Sequence, residues 1–405
     1  MDTIYNRTVV DEINRYIKTD DIIVLHGARQ VGKTSILYYL ENQLKKAGKQ
    51  TYFIDLEDSR FVNMLDAGVA EFIRHLREEG LPSAGQKGKI FVFIDEIQYL
   101  ADPSSFLKLV ADHHKNIKLV VSGSSSFEIK SKFKDSLVGR TVNFEIFNLS
   151  FREFLSFKGY VFEEGKVYTQ KKTDELRASF KEYLLYGGYP KIVLTQEIYR
   201  KEKYLQQIID TYVKKDIRDL AKIKDIDKFN KLLEALASQS GQQLNITELS
   251  NTTKIAKQTI EKYLFIMENT YIIKLVRPFS RNIRSELFKL PKIYFYDTGL
   301  MQMLWLKGLQ KEVIGNVFET GVFAELVKKY THEAVSYWRT KDKKEIDFIL
   351  KRKNDILPIE VKLSFEQFNP SAIAYFNTHY SLKNYKVVSL NGTPKNEFYA
   401  YPWDV

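Results

Sequence analysis

The sequence predicts an α/β protein: a doubly wound parallel sheet, then a helical segment, a winged helix-turn-helix and a second α/β domain. Three observations carry this expectation. Gly27-Ala28-Arg29-Gln30-Val31-Gly32-Lys33-Thr34 reads G-x-x-x-x-G-K-T between an apolar run, Ile22 to Leu25, and a helical pattern that opens at Ser35. Phe91-Val92-Phe93-Ile94-Asp95-Glu96 is an apolar strand ending in two carboxylates. Near the other end, Glu345-Ile346-Asp347 opens one strand pattern and Ile359-Glu360-Val361-Lys362 lies in the next.

Taken in order, residues 3–18 have an amphipathic helical pattern leading to a strand at 22–26 and a helix at 33–47. A strand at 51–55, a helix over roughly 60–78, a strand at 90–95, a helix at 104–114 and strands at 117–121 and 142–146 complete the alternation. Strands alternating with helices make a parallel sheet, whose ligands bind at the carboxyl edge. The extra strand between the two acidic and glycine-rich motifs points to the additional-strand class of NTPases. The first domain is assigned to residues 1–147.

The glycines let successive N–H groups of Gly27 through Ser35, including Ala28, Arg29, Gln30 and Val31, turn toward β- and γ-phosphates at a helix start. Lys33 neutralises phosphate charge and the Thr34 hydroxyl is a Mg²⁺ ligand. Asp95 would hold Mg²⁺ through water, and Glu96 would polarise the attacking water as general base. Ser122-Gly123-Ser124-Ser125 ends the fourth strand; Ser124 is either a sensor of the γ-phosphate or part of an ordinary turn. Arg140 is either an arginine finger for a neighbouring subunit, which implies a homo-oligomer, or a surface cation.

Residues 148–222 read as a helical lid broken at Gly187-Gly188, and 223–300 as a winged helix-turn-helix. Asn245-Ile246-Thr247-Glu248 opens a short helix, a turn is expected at 250–253, Lys257 to Leu264 is the candidate recognition helix, and 272–278 a wing strand. Eight Lys/Arg against three Asp/Glu in 251–290 favour DNA phosphates as partner, with packing or oligomerisation as the other use of such a domain. In 301–405 Glu360 and Lys362 share one strand face, directed to Asp347 if the strands form a hairpin. A helix beginning near Gly315 would add an acid, Glu319 first and Glu325 second. These carboxylates could hold Mg²⁺ or Mn²⁺, with Lys362 orienting a bound water; the alternative is a charged hairpin with solvated acids.

Composition narrows the classes. A chain of 405 residues implies two or three domains, and 44% hydrophobic with 28% charged residues argues against wholesale disorder. The absence of cysteine excludes disulfides, thiolate catalysis and zinc–thiolate sites. A net charge of +11 favours nucleic acid over a membrane surface as partner. The first residues have no apolar signal core and no run reaches the ~18 apolar residues of a membrane span, so a cytoplasmic protein with no membrane association is expected.

With these motifs in place, the chain resembles a bacterial and archaeal family of predicted ATPases that join an AAA-type domain to a carboxyl-terminal DUF4143 domain. Besides the two nucleotide motifs, Leu137-Val138-Gly139-Arg140, Leu149-Ser150-Phe151-Arg152-Glu153-Phe154, Gly187-Gly188-Tyr189-Pro190 and Lys292 to Leu300 are similar to that family's blocks. The end of the chain resembles the PD-(D/E)xK nucleases, with their restriction-endonuclease-like fold, onto Glu319, Asp347, Glu360 and Lys362; Asp347 departs from the pattern in lacking a preceding proline. The resemblance implies ATP as ligand. Three functions compete: an ATP-dependent enzyme acting on DNA, a nucleotide-gated switch or scaffold, and a regulator binding an operator.

Overall fold

In the computed structural model, which describes residues 5–82, 88–123, 137–211, 225–280, 290–352 and 355–405, the central strands are those whose apolar runs have no polar break. β1 (Ile22–Gly27), β3 (Ile90–Asp95) and β4 (Ile117–Gly123) are buried along their whole length, as strands covered on both faces must be. β2 (Gln50–Asp55) and β5 (Thr141–Ile146) are partly buried and form the edges. The order is β2-β3-β4-β1-β5, parallel throughout. β4 therefore separates β1 from β3 in the sheet although it follows both motifs in the chain; the strand that lies between the motifs in sequence is β2, at the edge.

Helices cover both faces. α2 (Lys33–Lys46) lies on the face of Phe53 and Phe93: Tyr38 stacks on Phe53 with centroids 4.4 Å apart, and Phe53 on Phe93 at 6.4 Å. On the other face α3 (Ser59–Asp66), α4 (Val69–Glu78) and α5 (Pro103–His113) enclose a core of Val24, Ile54, Val92, Ile94 and Val121 with Phe72, Leu76, Phe106 and Leu107. Two expectations need correcting. α1 spans only Val9–Tyr16 rather than 3–18. The helix expected over 60–78 is two, because Gly68 takes φ +114°, a conformation that breaks the helical ladder.

Lys118, buried in β4, fixes the turn between α1 and β1. Its Nζ donates to the carbonyls of Tyr16 at 2.8 Å, Thr19 at 3.0 Å and Asp21. Burial pulls its ammonium down to about 8. The residues so organised, Met1–Phe147, form one compact unit.

The second unit is Asn148–Val405. It begins with α6 (Phe151–Phe157), whose Ser150 and Glu153 form a reciprocal capping box. α7 (Gln170–Tyr186), α8 (Pro190–Leu194) and α9 (Ile198–Ile208) follow. Residues expected to form a lid thus share a core with later helices: Gly187, with φ +81°, lies against the Asp297 carboxyl, and Gly321 against Leu184.

α10 (Ile226–Ser238), α11 (Ile246–Thr253) and α12 (Lys257–Asn269) precede β6 (Ile273–Val276), which pairs antiparallel with β7 (Lys292–Phe295). Asn245 caps α11, accepting from Thr247 N at 3.0 Å and Glu248 N at 3.2 Å. The turn expected at 250–253 is instead the last turn of α11; the break comes at Lys254, with φ +60°. α13 (Thr298–Leu306) and α14 (Gly315–Tyr330) lead to a five-stranded sheet of order β12-β11-β10-β9-β8. β8 (Val335–Arg339), β9 (Glu345–Arg352) and β10 (Asp355–Ser364) are antiparallel, and β11 (Lys386–Asn391) and β12 (Tyr399–Ala400) continue parallel to β10. α15 (Ser371–Tyr380) packs Ile373 and Phe376 on Trp338, Ile346 and Ile349.

Candidate functional site

β1, β3 and β4 end side by side, at Gly27, Asp95 and Gly123, and their ends carry the glycine-rich loop, the acids and a serine. Gly27 has to be glycine because a Cβ there would collide with the carbonyl of Ile146, its partner on β5. Beyond it the loop passes through left-handed conformations at Gln30 (φ +62°) and Gly32 (φ +96°), so that α2 starts at Lys33 with its first N–H groups free of helical partners. Arg7 pins the loop from outside: its guanidinium donates to Val31 O at 2.8 Å and Phe147 O at 3.0 Å.

Lys33 is buried and curls over the loop, donating to Ala28 O at 2.8 Å and Gly27 O at 3.2 Å. Burial pulls its ammonium down to about 8, against the opposing pull of Glu96 and Asp95. Asp95 accepts two neutral hydroxyls, Thr34 Oγ1 at 2.6 Å on Oδ2 and Ser122 Oγ on Oδ1. Burial raises the Asp95 carboxyl, and these two hydrogen bonds oppose the rise. Glu96 takes a left-handed backbone (φ +56°) that its N–H stabilises by donating to Asp95 Oδ1 at 3.2 Å and Ser122 Oγ at 3.3 Å. The Gln98 amide donates to the Glu96 carboxylate. The Thr34 hydroxyl and the Asp95 carboxylate are adjacent hard oxygens, the donor set that suits Mg²⁺.

Ser122 was not singled out from sequence, where Ser124 drew attention; Ser124 lies outside the described residues. The available signal was register: Ile94 pairs with Val121, so the next residues, Asp95 and Ser122, fall together. Arg140 sits at the opposite edge of the sheet. Its carbonyl accepts from Ile22 N at 2.8 Å, at the start of β1, and its guanidinium makes a bidentate pair with Asp112 at 2.8 and 3.2 Å. A role for Arg140 at a phosphate therefore needs a second copy of the chain.

In the second unit Asp347 of β9 and Glu360 and Lys362 of β10 come together. Asp347 Oδ2 accepts from Val361 N at 2.7 Å and Lys362 Nζ at 3.1 Å, and Glu360 accepts from Lys362 at 2.6 Å. The cation between these two carboxylates is thus the protein's own ammonium. Burial, and then the neighbouring Asp347, push the Glu360 carboxyl up to about 8, while Lys362 works against both. Glu319 of α14 accepts instead from Tyr294 OH at 2.5 Å and Lys292 Nζ at 3.3 Å. Among the described residues no three His, Cys, Asp or Glu side chains are arranged to hold a metal ion.

Glu325 needs correcting as the second choice of ligand. Six residues beyond Glu319 it points elsewhere on α14, accepting from Phe151 N at 2.9 Å and Tyr183 OH at 2.6 Å. Lys292 was missed as a member of this centre. It lies in β7, far along the chain from Glu319 and Glu345, and reaches both, at 3.3 and 2.6 Å. Burial opposes its charge, but Glu319, Asp347 and Glu345 outweigh that and hold the ammonium above its ordinary range. No sequence pattern announces such a contact.

Comparison with known proteins bears on these sites. Residues 19–155 match the AAA domain, 177–312 a domain of unknown function (DUF8612) and 314–401 a domain of unknown function (DUF4143). An uncharacterized protein of Haemophilus influenzae is 27% identical over 95% of this chain and 92% of its own length. One of Methanocaldococcus jannaschii is 27% identical over 94% and 85%. Among solved structures, the Aeropyrum pernix ORC2 protein in its ADP form covers 66% of this chain and 85% of its own, at 11% identity and TM-score 0.35. AMPPCP-bound DnaA from Aquifex aeolicus covers 64% and 86%, at 15% and 0.28. Among the described residues no helix is long and apolar enough to cross a membrane. The two matched ends agree with the motifs: the chain carries an AAA domain at residues 19–155 and a carboxyl-terminal DUF4143 domain at residues 314–401.

Proposed function

We propose that the protein hydrolyses ATP and acts on DNA, through residues 223–300 as a winged helix and residues 301–405 as a nuclease-like domain. The observation that carries the first part is the meeting of Lys33, Thr34, Asp95 and Glu96 at one sheet edge, with Asp95 held by neutral hydroxyls. The N–H groups of the loop from Gly27 through Ser35, at the start of α2, and the Lys33 ammonium hold the β- and γ-phosphates. Thr34 and Asp95 would hold Mg²⁺, which supplies neutralisation of phosphate charge. Glu96, oriented by Gln98, takes a proton from the attacking water as its oxygen bonds to the γ-phosphorus; the bond to the β-phosphate oxygen breaks, giving ADP and phosphate. ATP turnover with Mg²⁺ is the test: Lys33→Ala loses binding, whereas Glu96→Gln binds and fails to hydrolyse.

DNA as partner is supported by the order of α10, α11 and α12 followed by the β6–β7 pair, and by Lys254, Lys257 and Lys262, all exposed around the start of α12. Phosphate contacts of this kind give salt-dependent binding. Fluorescence anisotropy of labelled duplex against salt concentration measures it, and a flat response contradicts DNA as partner. The helix–three strands–helix–strand order of α14 to β11, with Asp347, Glu360 and Lys362 on neighbouring strands, supports the nuclease-like reading of the terminal domain.

A second reading is a nucleotide-gated switch whose terminal domain binds without cutting. One observation favours it: lysine ammoniums already occupy the acids of that domain. Labelled single-stranded, duplex and four-way-junction DNA, incubated with Mg²⁺ or Mn²⁺ and with or without ATP, separates the two. Cleavage lost in Glu360→Ala supports the nuclease; intact DNA with ATP hydrolysis preserved supports the switch.

A further inference from the structure

Lys292 has no part in the chemistry above, yet it is 2% exposed and carries a charge into the acidic centre. It comes from β7, which pairs with β6 and not with the five-stranded sheet that bears the acids. Lys292 and Tyr294 are two apart on an extended strand and so share a face. Both deliver their polar ends to Glu319, Tyr294 OH at 2.5 Å and Lys292 Nζ at 3.3 Å, and Lys292 continues to Glu345 at 2.6 Å. Glu345 also receives Arg339 at 3.1 Å, and Arg339 donates to Gln243 Oε1 at 3.0 Å. One strand further on, Lys362 bridges Asp347 and Glu360. Four carboxylates, of Glu319, Glu345, Asp347 and Glu360, thus face three cations, Lys292, Arg339 and Lys362.

We infer that this centre is neutralised from within, and that Lys292 is the residue that keeps a divalent cation out of it by occupying Glu319. The inference rests on reading residues 301–405 as nuclease-like, since that reading makes Glu319 the third ligand beside Asp347 and Glu360. A divalent ion needs oxygen ligands without a competing cation on the same oxygens, and an ammonium in contact repels it. Lys362 can turn aside by rotating its own side chain, because it is partly exposed at the sheet surface. Lys292 is enclosed, and its backbone is fixed by the ladder from Ile273–Phe295 to Val276–Lys292, so vacating Glu319 requires β7 itself to shift. Entry of a metal is therefore tied to the position of the two-stranded sheet.

The test is Mn²⁺ binding to the full chain without nucleotide, followed by electron paramagnetic resonance and calorimetry, in wild type, Lys292→Met, Lys292→Gln and Lys292→Arg. Lys292→Met and Lys292→Gln should gain a Mn²⁺ site at least about tenfold tighter than any the wild type has, as removal of a contacting charge implies. The gain should vanish when Glu360→Gln is added, and Lys292→Arg should stay like wild type. Melting temperature gives a second readout: Mn²⁺ should raise it in Lys292→Met and leave the wild type unmoved. Equal Mn²⁺ affinity in wild type and Lys292→Met, or Mn²⁺ on Glu319 beside a seated Lys292 in soaked wild-type crystals, overturns the inference and leaves the nuclease-like reading standing. No Glu360-dependent Mn²⁺ site in any folded variant overturns both.

Discussion

The protein builds acid–lysine centres twice, at the end of β3 and across β9 and β10, and satisfies them in opposite ways. Asp95 receives neutral hydroxyls from Thr34 and Ser122, while Lys33 is parked on backbone carbonyls. Neutral donors leave the charges of that site unspent, so an anionic ligand and its cation can still be bound there. Asp347, Glu360, Glu319 and Glu345 are met by ammoniums directly. A buried ion pair of this sort offsets its own desolvation and leaves little for a ligand. The same residue types thus read as a ligand site in one unit and as a structural network in the other, and hydrogen-bond partners make the difference.

The contrast can be broken by removing one lysine from each. Lys33→Ala should weaken ATP binding by two to three orders of magnitude, ~3–4 kcal/mol, with little change in stability, measured by fluorescent-nucleotide titration and urea unfolding. Lys362→Met should do the reverse. Leaving Asp347 and Glu360 buried without their cation should cost about 3 kcal/mol of stability in the second unit and leave ATP affinity unchanged. If Lys362→Met is as stable as wild type, the network reading fails.

Smaller effects sharpen the picture. Gly27→Ala should lower the stability of Met1–Phe147 by about 2 kcal/mol, because its methyl must displace the Ile146 carbonyl; thermal unfolding followed by circular dichroism reports it. Lys257→Ala and Lys262→Ala should each weaken duplex binding a few-fold, alike for all sequences, and lower the salt slope by about 1. An effect confined to one sequence would point to base readout instead.

How much of this was legible in the chain follows from the range of the interactions. The loop at 27–34 and the acids at 95–96 are each contiguous in the chain and each dictates its own backbone, so the candidate nucleotide site could be read directly. Unbroken apolar runs mark β1, β3 and β4 as central strands, but the order of the strands in the sheet is not written in the chain. Helix limits were less legible: α1 begins at Val9, and one glycine at 68 divides what periodicity reads as a single helix. Ser122 was obscured by its neighbour Ser124, since only the register with β3 singles it out. Lys292 was illegible altogether. Its partners lie far along the chain and on separate elements, and only folding brings them within 3.3 Å.

The central claim is that the first of the two centres is a working ATP site. Steady-state phosphate release from Mg²⁺-ATP by the full-length wild type and Glu96→Gln tests it most directly. The account predicts turnover in the wild type and a loss of roughly 10²- to 10⁴-fold in Glu96→Gln with nucleotide affinity retained. Equal turnover in the two proteins would contradict it.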